Sequence, residues 1–125
     1  MQYFYGMLWL LIIHFIADFV LQSDWMAQNK SKSNAALGAH VLVYTGAILF
    51  GSLPLVFILG HDGGPLLGLW VVLNGAAHFA TDYITSRINA RLWAAKEVHY
   101  FFVSVGADQL IHYFTLGLTM IWLLR

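Results

Sequence analysis

Seven residues recur at helical spacing inside otherwise apolar sequence: His14, Asp18, His40, His78, Asp82, Asp108 and His112. His14 with Asp18, His78 with Asp82, and Asp108 with His112 are each four residues apart, so each pair shares one face of an α-helix. The same faces carry further polar groups: Gln22 beyond Asp18, Tyr44 beyond His40, Asn74 and Ser86 flanking the second pair, and Ser104 before the third. Imidazole and carboxylate together suit zinc, manganese, iron or nickel, and a catalytic ion keeps a coordination position free for water. Four histidines and three aspartates exceed what one such ion needs. They fit one or two divalent ions, zinc foremost, with carboxylates able to bridge, the arrangement that clamps the attacking and leaving oxygens of a phosphoester. The chain has no cysteine, so thiolate ligands and disulfides are excluded. No serine stands at a spacing that argues for a triad, which favours metal-activated water over covalent catalysis.

Asp18, Asp82 and Asp108 are the candidate catalytic carboxylates. Gln22, Tyr44 and Gln109 adjoin the cluster and are candidates for orienting ligands or substrate, since metal-bound imidazoles and carboxylates need outer partners. Lys30, Lys32 and Arg87 read most simply as topology determinants that meet anionic headgroups, with Lys30 and Arg87 the secondary candidates for a substrate phosphate. His61 and Asp62, in a glycine-rich turn, read as solvated, and Glu97 and His99 as interfacial. Each His/Asp pair alone is more often a hydrogen-bonded helix pair than a ligand pair. Three in one small domain favour a metal site over a purely structural or proton-conducting network.

The elements that must position these residues follow from composition. Of the 125 residues, 60% are hydrophobic and 10% charged, against about 25% charged in an ordinary soluble domain. Four apolar runs of spanning length are expected: residues 3–22, 35–59, 66–84 and 100–124. They predict a single all-α domain, a polytopic membrane four-helix bundle whose polar stripes face one another. The first run lacks a basic start and a small-residue cleavage site, so it reads as a span and not as a signal peptide. Loops 23–34 and 85–99 hold the lysines and arginines apart from Arg125, and loop 60–65 holds none, which places both termini outside and the basic loops in the cytoplasm. The five tryptophans, Trp9, Trp25, Trp70, Trp93 and Trp122, fall near span ends or in loops, as interfacial aromatics do. Pro54 is expected to kink the second span, and Gly64 with Gly68 forms a weak GxxxG. Formal neutrality and the lack of a basic tract exclude nucleic acid as a partner. Membrane lipid is the expected surrounding, and a bundle this small is suited to forming a homodimer.

The chain also repeats: His14-Phe15-Ile16-Ala17-Asp18 returns as His78-Phe79-Ala80-Thr81-Asp82, and Ala36 to His40 returns loosely as Asp108 to His112. Both halves run in the same direction, so two parallel helix-hairpin repeats are expected, with matching residues at one depth.

HxxxD pairs on separate helices resemble the helical metal scaffold of the zinc-dependent phospholipase C and single-strand nuclease superfamily. The multi-span arrangement resembles bacterial membrane-bound metal-dependent hydrolases. More closely, the ordered set HFIADFVLQSDW, His40 with Tyr44, HFATDY and DQLIH resembles an uncharacterised family of small bacterial and phage membrane proteins. The superfamily resemblance implies His14, Asp18, His78 and Asp82 as ligands, joined by Asp108 and His112. It also implies an amino-terminal tryptophan ligand, where this chain has Met1-Gln2-Tyr3. A bacterial inner-membrane setting follows from the family resemblance.

The functional expectation is a membrane-embedded hydrolase of a phosphoester or diphosphate in a lipid-like substrate, since the cluster sits in the cytoplasmic half of the spans. The alternatives are a proton or metal-ion translocator, because intramembrane His/Asp chains mark ion pathways, and a non-catalytic adaptor. Orientation is tested by cysteines at Asn29, Asn89 and Gly63. The first two should resist a membrane-impermeant thiol reagent in intact cells and the third should react; the reverse pattern moves the cluster to the outer leaflet.

Overall fold

The computed structural model describes residues 2–59 and 63–123. Gly60, His61, Asp62 and Arg125, and with them the expected solvated turn and the terminal cation, lie outside the described residues. Among the described residues all regular structure is helical: α1 (Gln2–Phe15) running into a π-helical turn (Ile16–Val20), α2 (Asp24–Asn29), α3 (Asn34–Leu59), α4 (Gly63–Ala94) and α5 (Val98–Leu123). The all-α expectation holds, with five helices in place of four.

Three departures from the expected elements have local causes. The first run is not one α-helix. Leu21 N–H donates to Ile16 O at 2.9 Å, an i to i−5 bond, so the chain widens into a π turn around Asp18. The first basic loop contains α2, started by Ser23, whose hydroxyl accepts from Met26 N–H at 3.3 Å. The second basic loop is mostly helix. Residues 85–94 contain neither glycine nor proline, and α4 runs through them to Ala94. It stops in a Schellman turn: Glu97 N–H bonds Leu92 O, Lys96 N–H bonds Trp93 O, and Lys96 takes the left-handed conformation at φ 60°.

α4 is the central helix, packed on α3 along one side and α5 along the other, while α1 lies on α3 and touches α5 only briefly. The apolar core gathers Leu10, Ile13, Ile48, Leu67, Trp70, Leu116 and Met120 at the end away from α2. Trp70 corrects the expectation of interfacial tryptophans. It is fully buried, because its indole N–H has a buried acceptor in Thr119 Oγ1 at 2.9 Å, and Asn74 joins the same hydroxyl at 3.0 Å. Trp9, Trp25, Trp93 and Trp122 are exposed. Pro54 lies inside α3, which continues to Leu59.

By length and composition, one helix among the described residues, over Asn34–Leu55, is able to cross a membrane; the apolar stretch Phe4–Val20 is shorter. The polar residues of α4 and α5 lower the mean hydropathy of those helices, and they point inward: the buried polar set comprises all seven His and Asp residues with Ser52, Asn74 and Ser86. The outward surface carries large apolar groups such as Leu42, Phe50, Val72, Phe114 and Leu118.

Close helix approach rests on two glycines. A Cβ at Gly75 would meet Thr45 Oγ1 at 2.5 Å, and one at Gly51 would meet three atoms of Ile13 at 2.7 to 2.9 Å. The expected Gly64 and Gly68 pair meets nothing within 4 Å. Gly51→Ala is therefore expected to destabilise the fold by about 1–3 kcal/mol through overpacking against a stiff β-branched side chain. Gly46→Ala, where no atom lies within 4 Å, should be neutral or slightly stabilising. Thermal unfolding in detergent compares the two, and equal midpoints would remove the close-packing argument.

Candidate metal centre

α1 with its π turn, α3, α4 and α5 each send polar side chains to one point, so the cluster is assembled by every long helix. His14, Asp18, His40, His78, Asp82, Asp108 and His112 are all buried. Four ligand atoms face one another most closely. His40 Nε2 lies 3.1 Å from Asp18 Oδ1, 3.1 Å from His78 Nε2 and 3.3 Å from Asp82 Oδ2. His78 Nε2 lies 3.4 Å from Asp18 Oδ1 and 3.7 Å from Asp82 Oδ2. Ligand atoms around a tetrahedral zinc at its usual bond lengths stand about 3.3–3.4 Å apart. The observed spacings bracket that value, so the residues fit such an ion.

A second group, Asp18, Asp108 and His112, also offers one ligand atom each within 4.8 Å of one another. The two groups share Asp18, and Asp82 spans them as well: its Oδ2 faces His40, while its Oδ1 lies 3.2 Å from His112 Nε2. The imidazole planes are set by stacking. The Tyr44 ring lies on His78 with centroids 3.7 Å apart, and His78 lies on His112 at 4.2 Å.

His14 stands apart from the other six. Its Nδ1 pairs with the Tyr44 hydroxyl at 3.2 Å and its Nε2 with Gln109 Oε1 at 3.0 Å. Since that oxygen can only accept, Nε2 carries the hydrogen and Nδ1 accepts from Tyr44. Both ring nitrogens are thereby committed, which leaves His14 out of both ligand groups. Gln109 turns its amide nitrogen to Asp18 Oδ2 at 2.8 Å and to Asp108 Oδ2 at 3.1 Å. Tyr44, His14 and Gln109 thus form one relay of hydrogen bonds that fixes two of the carboxylates.

Lys30 reaches in from the end of α2 and bonds Asp82 Oδ2 at 2.8 Å. Three carboxylates and this single ammonium leave two negative charges in the interior, which a divalent cation or two imidazolium rings would offset. Arg87 does not join the cluster: it bonds Tyr83 O and Asn34 Oδ1 and lies over the Tyr83 ring, tying α4 to the start of α3. Gln22 lies at the rim. Thr85 was not foreseen; its hydroxyl approaches Asp108 Oδ1 at 2.6 Å and the Thr81 carbonyl at 3.0 Å. Helical threonines commonly bond the preceding turn in this way, so its sequence position alone gave no signal.

A cavity of about 790 Å³ opens onto the cluster from the α2 end. Asp18, Asp108 and Gln109 line its inner part; Lys30, Lys32 and the aromatic rings of Phe19, Trp93, Phe101 and Phe102 also line it.

Fold and site together define an all-helical protein whose interior His/Asp groups are able to hold a metal ion. The family model described as "Protein of unknown function (DUF3307)" matches residues 7–124, and the chain belongs to that family. This agrees with the expected membership of an uncharacterised family, and the matched region contains all seven His and Asp residues of the cluster. Comparison with curated proteins finds no match, and neither does comparison with solved structures.

Protein purified without chelators is expected to carry one or two divalent metal ions per chain by elemental analysis. His40→Ala should remove at least one ion, whereas His14→Ala should retain them, because His14 has no free nitrogen. A metal-free wild type, or equal loss in both variants, contradicts this assignment.

Proposed function

We propose that the protein is a membrane-embedded, metal-dependent hydrolase acting on a phosphoester or diphosphate of a lipid-like substrate. The observation that carries this reading is the set of His40, His78, Asp18 and Asp82, whose ligand atoms lie within 4.8 Å of one another, beside a cavity lined by both lysines and aromatic rings. Membrane insertion is favoured by the inverted distribution of polarity, with large apolar side chains outside and the ionisable cluster inside. An exposed charge in lipid costs about 2.5–3.5 kcal/mol on insertion scales, and burial among partners avoids that cost. The matching geometry of the two sequence repeats supports a bundle of two parallel hairpins. His14 to Asp18 and His78 to Asp82 are each 3.7 Å, and the cross-helix bonds His40 to Asp18 and His112 to Asp82 are 3.1 and 3.2 Å.

His40, His78, Asp18 and Asp82 would hold one ion, and Asp108, His112 and the shared Asp18 a second. Zinc suits such nitrogen and oxygen donors, and when bound it supplies Lewis acidity and hydroxide at neutral pH. Lys30 and Lys32 draw an anionic phosphate to the cavity. Gln109 holds Asp18 and Asp108 in place, and Thr85 fixes the other oxygen of Asp108. Asp108, the least buried of the three carboxylates, faces the cavity; its Oδ2 would take the proton of the attacking water as the new oxygen–phosphorus bond forms and the bond from phosphorus to the leaving oxygen breaks, and would hand that proton to the leaving oxygen. The aromatic wall excludes water from the substrate's apolar part. Hydrolysis is favoured over ion translocation because the cavity beside the cluster combines lysines with an aromatic wall, a lining suited to a lipid phosphate.

In mixed micelles the protein should release phosphate or a headgroup from phospholipid or polyprenyl-phosphate substrates, lose activity on chelation and recover it on metal addition. Asp108→Asn keeps the shape and removes the charge; a drop of about a hundredfold or more, some 2.7 kcal/mol of barrier, with folding intact is expected. No turnover across the lipid panel, with proton or divalent-ion flux through proteoliposomes that the same variant blocks, replaces the hydrolase with the translocator.

A further inference from the structure

The cavity wall contains polar atoms that nothing in the chain uses. Gln22 Oε1, Ser86 Oγ and Asn89 Oδ1 are each buried and without a hydrogen-bond partner, and all three residues line this one cavity. A buried polar atom left unpaired costs about 1–3 kcal/mol, so three in one wall need a common explanation. They come from different places, Gln22 from the turn after the π segment and Ser86 with Asn89 from adjacent faces of α4, so no single local strain produces them. Their chemistry is uniform. Two are amide oxygens that accept hydrogen bonds and the third is a hydroxyl that can do either.

A ligand that satisfies them must present donors. An ammonium-bearing group would do so, but it offers no acceptor to Lys32, the exposed cation on the same wall. Neutral hydroxyls meet the requirement without that conflict, and they also match an amide turned to present its nitrogen, since a hydroxyl both donates and accepts. The lysines in turn suit a phosphate attached to the hydroxyl-bearing group. Resting on the hydrolase reading above, we propose that the cavity is a headgroup subsite for an anionic lipid whose phosphate carries a polyhydroxylated substituent, a glycerol or sugar. Gln22, Ser86 and Asn89 read the hydroxyls, Lys30 and Lys32 hold the phosphate, and the phosphorus is thereby presented to the cluster at the cavity's inner end. The volume of about 790 Å³ lies within the ordinary range for small-molecule sites.

The test reads binding and not turnover. Chelator-treated protein in micelles containing equimolar phosphatidylglycerol and phosphatidylethanol is examined by native mass spectrometry. The two lipids have the same charge, and only the first carries free hydroxyls. Preferential retention of phosphatidylglycerol by about tenfold is expected, the scale of one or two net hydrogen bonds. Gln22→Leu with Asn89→Leu should bring the ratio near one while both lipids are still retained, and the milder Ser86→Ala should reduce it in the same direction. Lys32→Met, which leaves the Lys30 to Asp82 pair intact, should weaken retention of both lipids and keep the ratio. Equal retention by the wild type, or full preference in the double-leucine variant and in Ser86→Ala, overturns the subsite. Because the chelated protein is used, that failure leaves hydrolysis open to its own assay. Hydroxyl preference without turnover of any lipid supports the subsite and removes only the hydrolase.

Discussion

Three carboxylates within one small helical interior are the constraint to which the remaining parts answer. A carboxylate withdrawn from water without partners is prohibitively costly, and like charges held close raise the cost further. Each aspartate is therefore surrounded: Asp18 by His40, His78 and Gln109, Asp82 by His40, His112 and Lys30, and Asp108 by Thr85, Gln109 and His112. Those partners come from α3, α4 and α5 and the end of α2, and this fixes helix rotation more strictly than apolar packing would. An apolar face tolerates a turn of some tens of degrees with repacking. The His40 to Asp18 and His112 to Asp82 bonds, each near 3 Å, do not.

Neighbouring parts follow from this. The two close glycine approaches, at Gly51 and Gly75, let α1, α3 and α4 come near enough for short side chains such as aspartate to meet imidazoles across the interface. The π turn lies where the first helix must deliver Asp18 to partners on three other helices, and single π turns are known to gather at functional sites. α2 exists as a short capped helix between α1 and α3, and its end is the base from which Lys30 reaches Asp82.

Much of the cluster was legible because four-residue spacing within apolar sequence has one inexpensive solution, namely inward convergence. That logic brought together Asp18, His40, His78, Asp82, Asp108 and His112 without any knowledge of the fold. It could not separate His14 from them, since its commitment to Tyr44 and Gln109 depends on rotamers and tertiary distance, which spacing does not encode. Lys30 was read first as a topology determinant because a lysine in a loop has no periodic signal; only the path of α2 aims it inward. Arg87 carries the same charge and lies one turn beyond Asp82, yet it turns to Tyr83 and Asn34. Among helix limits, the apolar stretches located α3 and α5 closely. The polar end of α4 was missed because hydropathy marks where apolar sequence stops, while a helix continues until a capping turn ends it, here at Lys96.

The distribution of the ligand set over all four long helices has a thermodynamic consequence. No single helix contains either complete group, since the first requires the π turn, α3 and α4, and the second the π turn and α5. A cation held there recognises only the assembled chain, so occupancy and assembly are linked equilibria. At a free-ion concentration of 1,000 times the dissociation constant, that linkage adds about 4.1 kcal/mol to the folded state, comparable with the net stability of many small domains. Metal supply would then govern how much of the chain persists, and scarcity would lower its abundance by exposing partly separated helices to proteolysis.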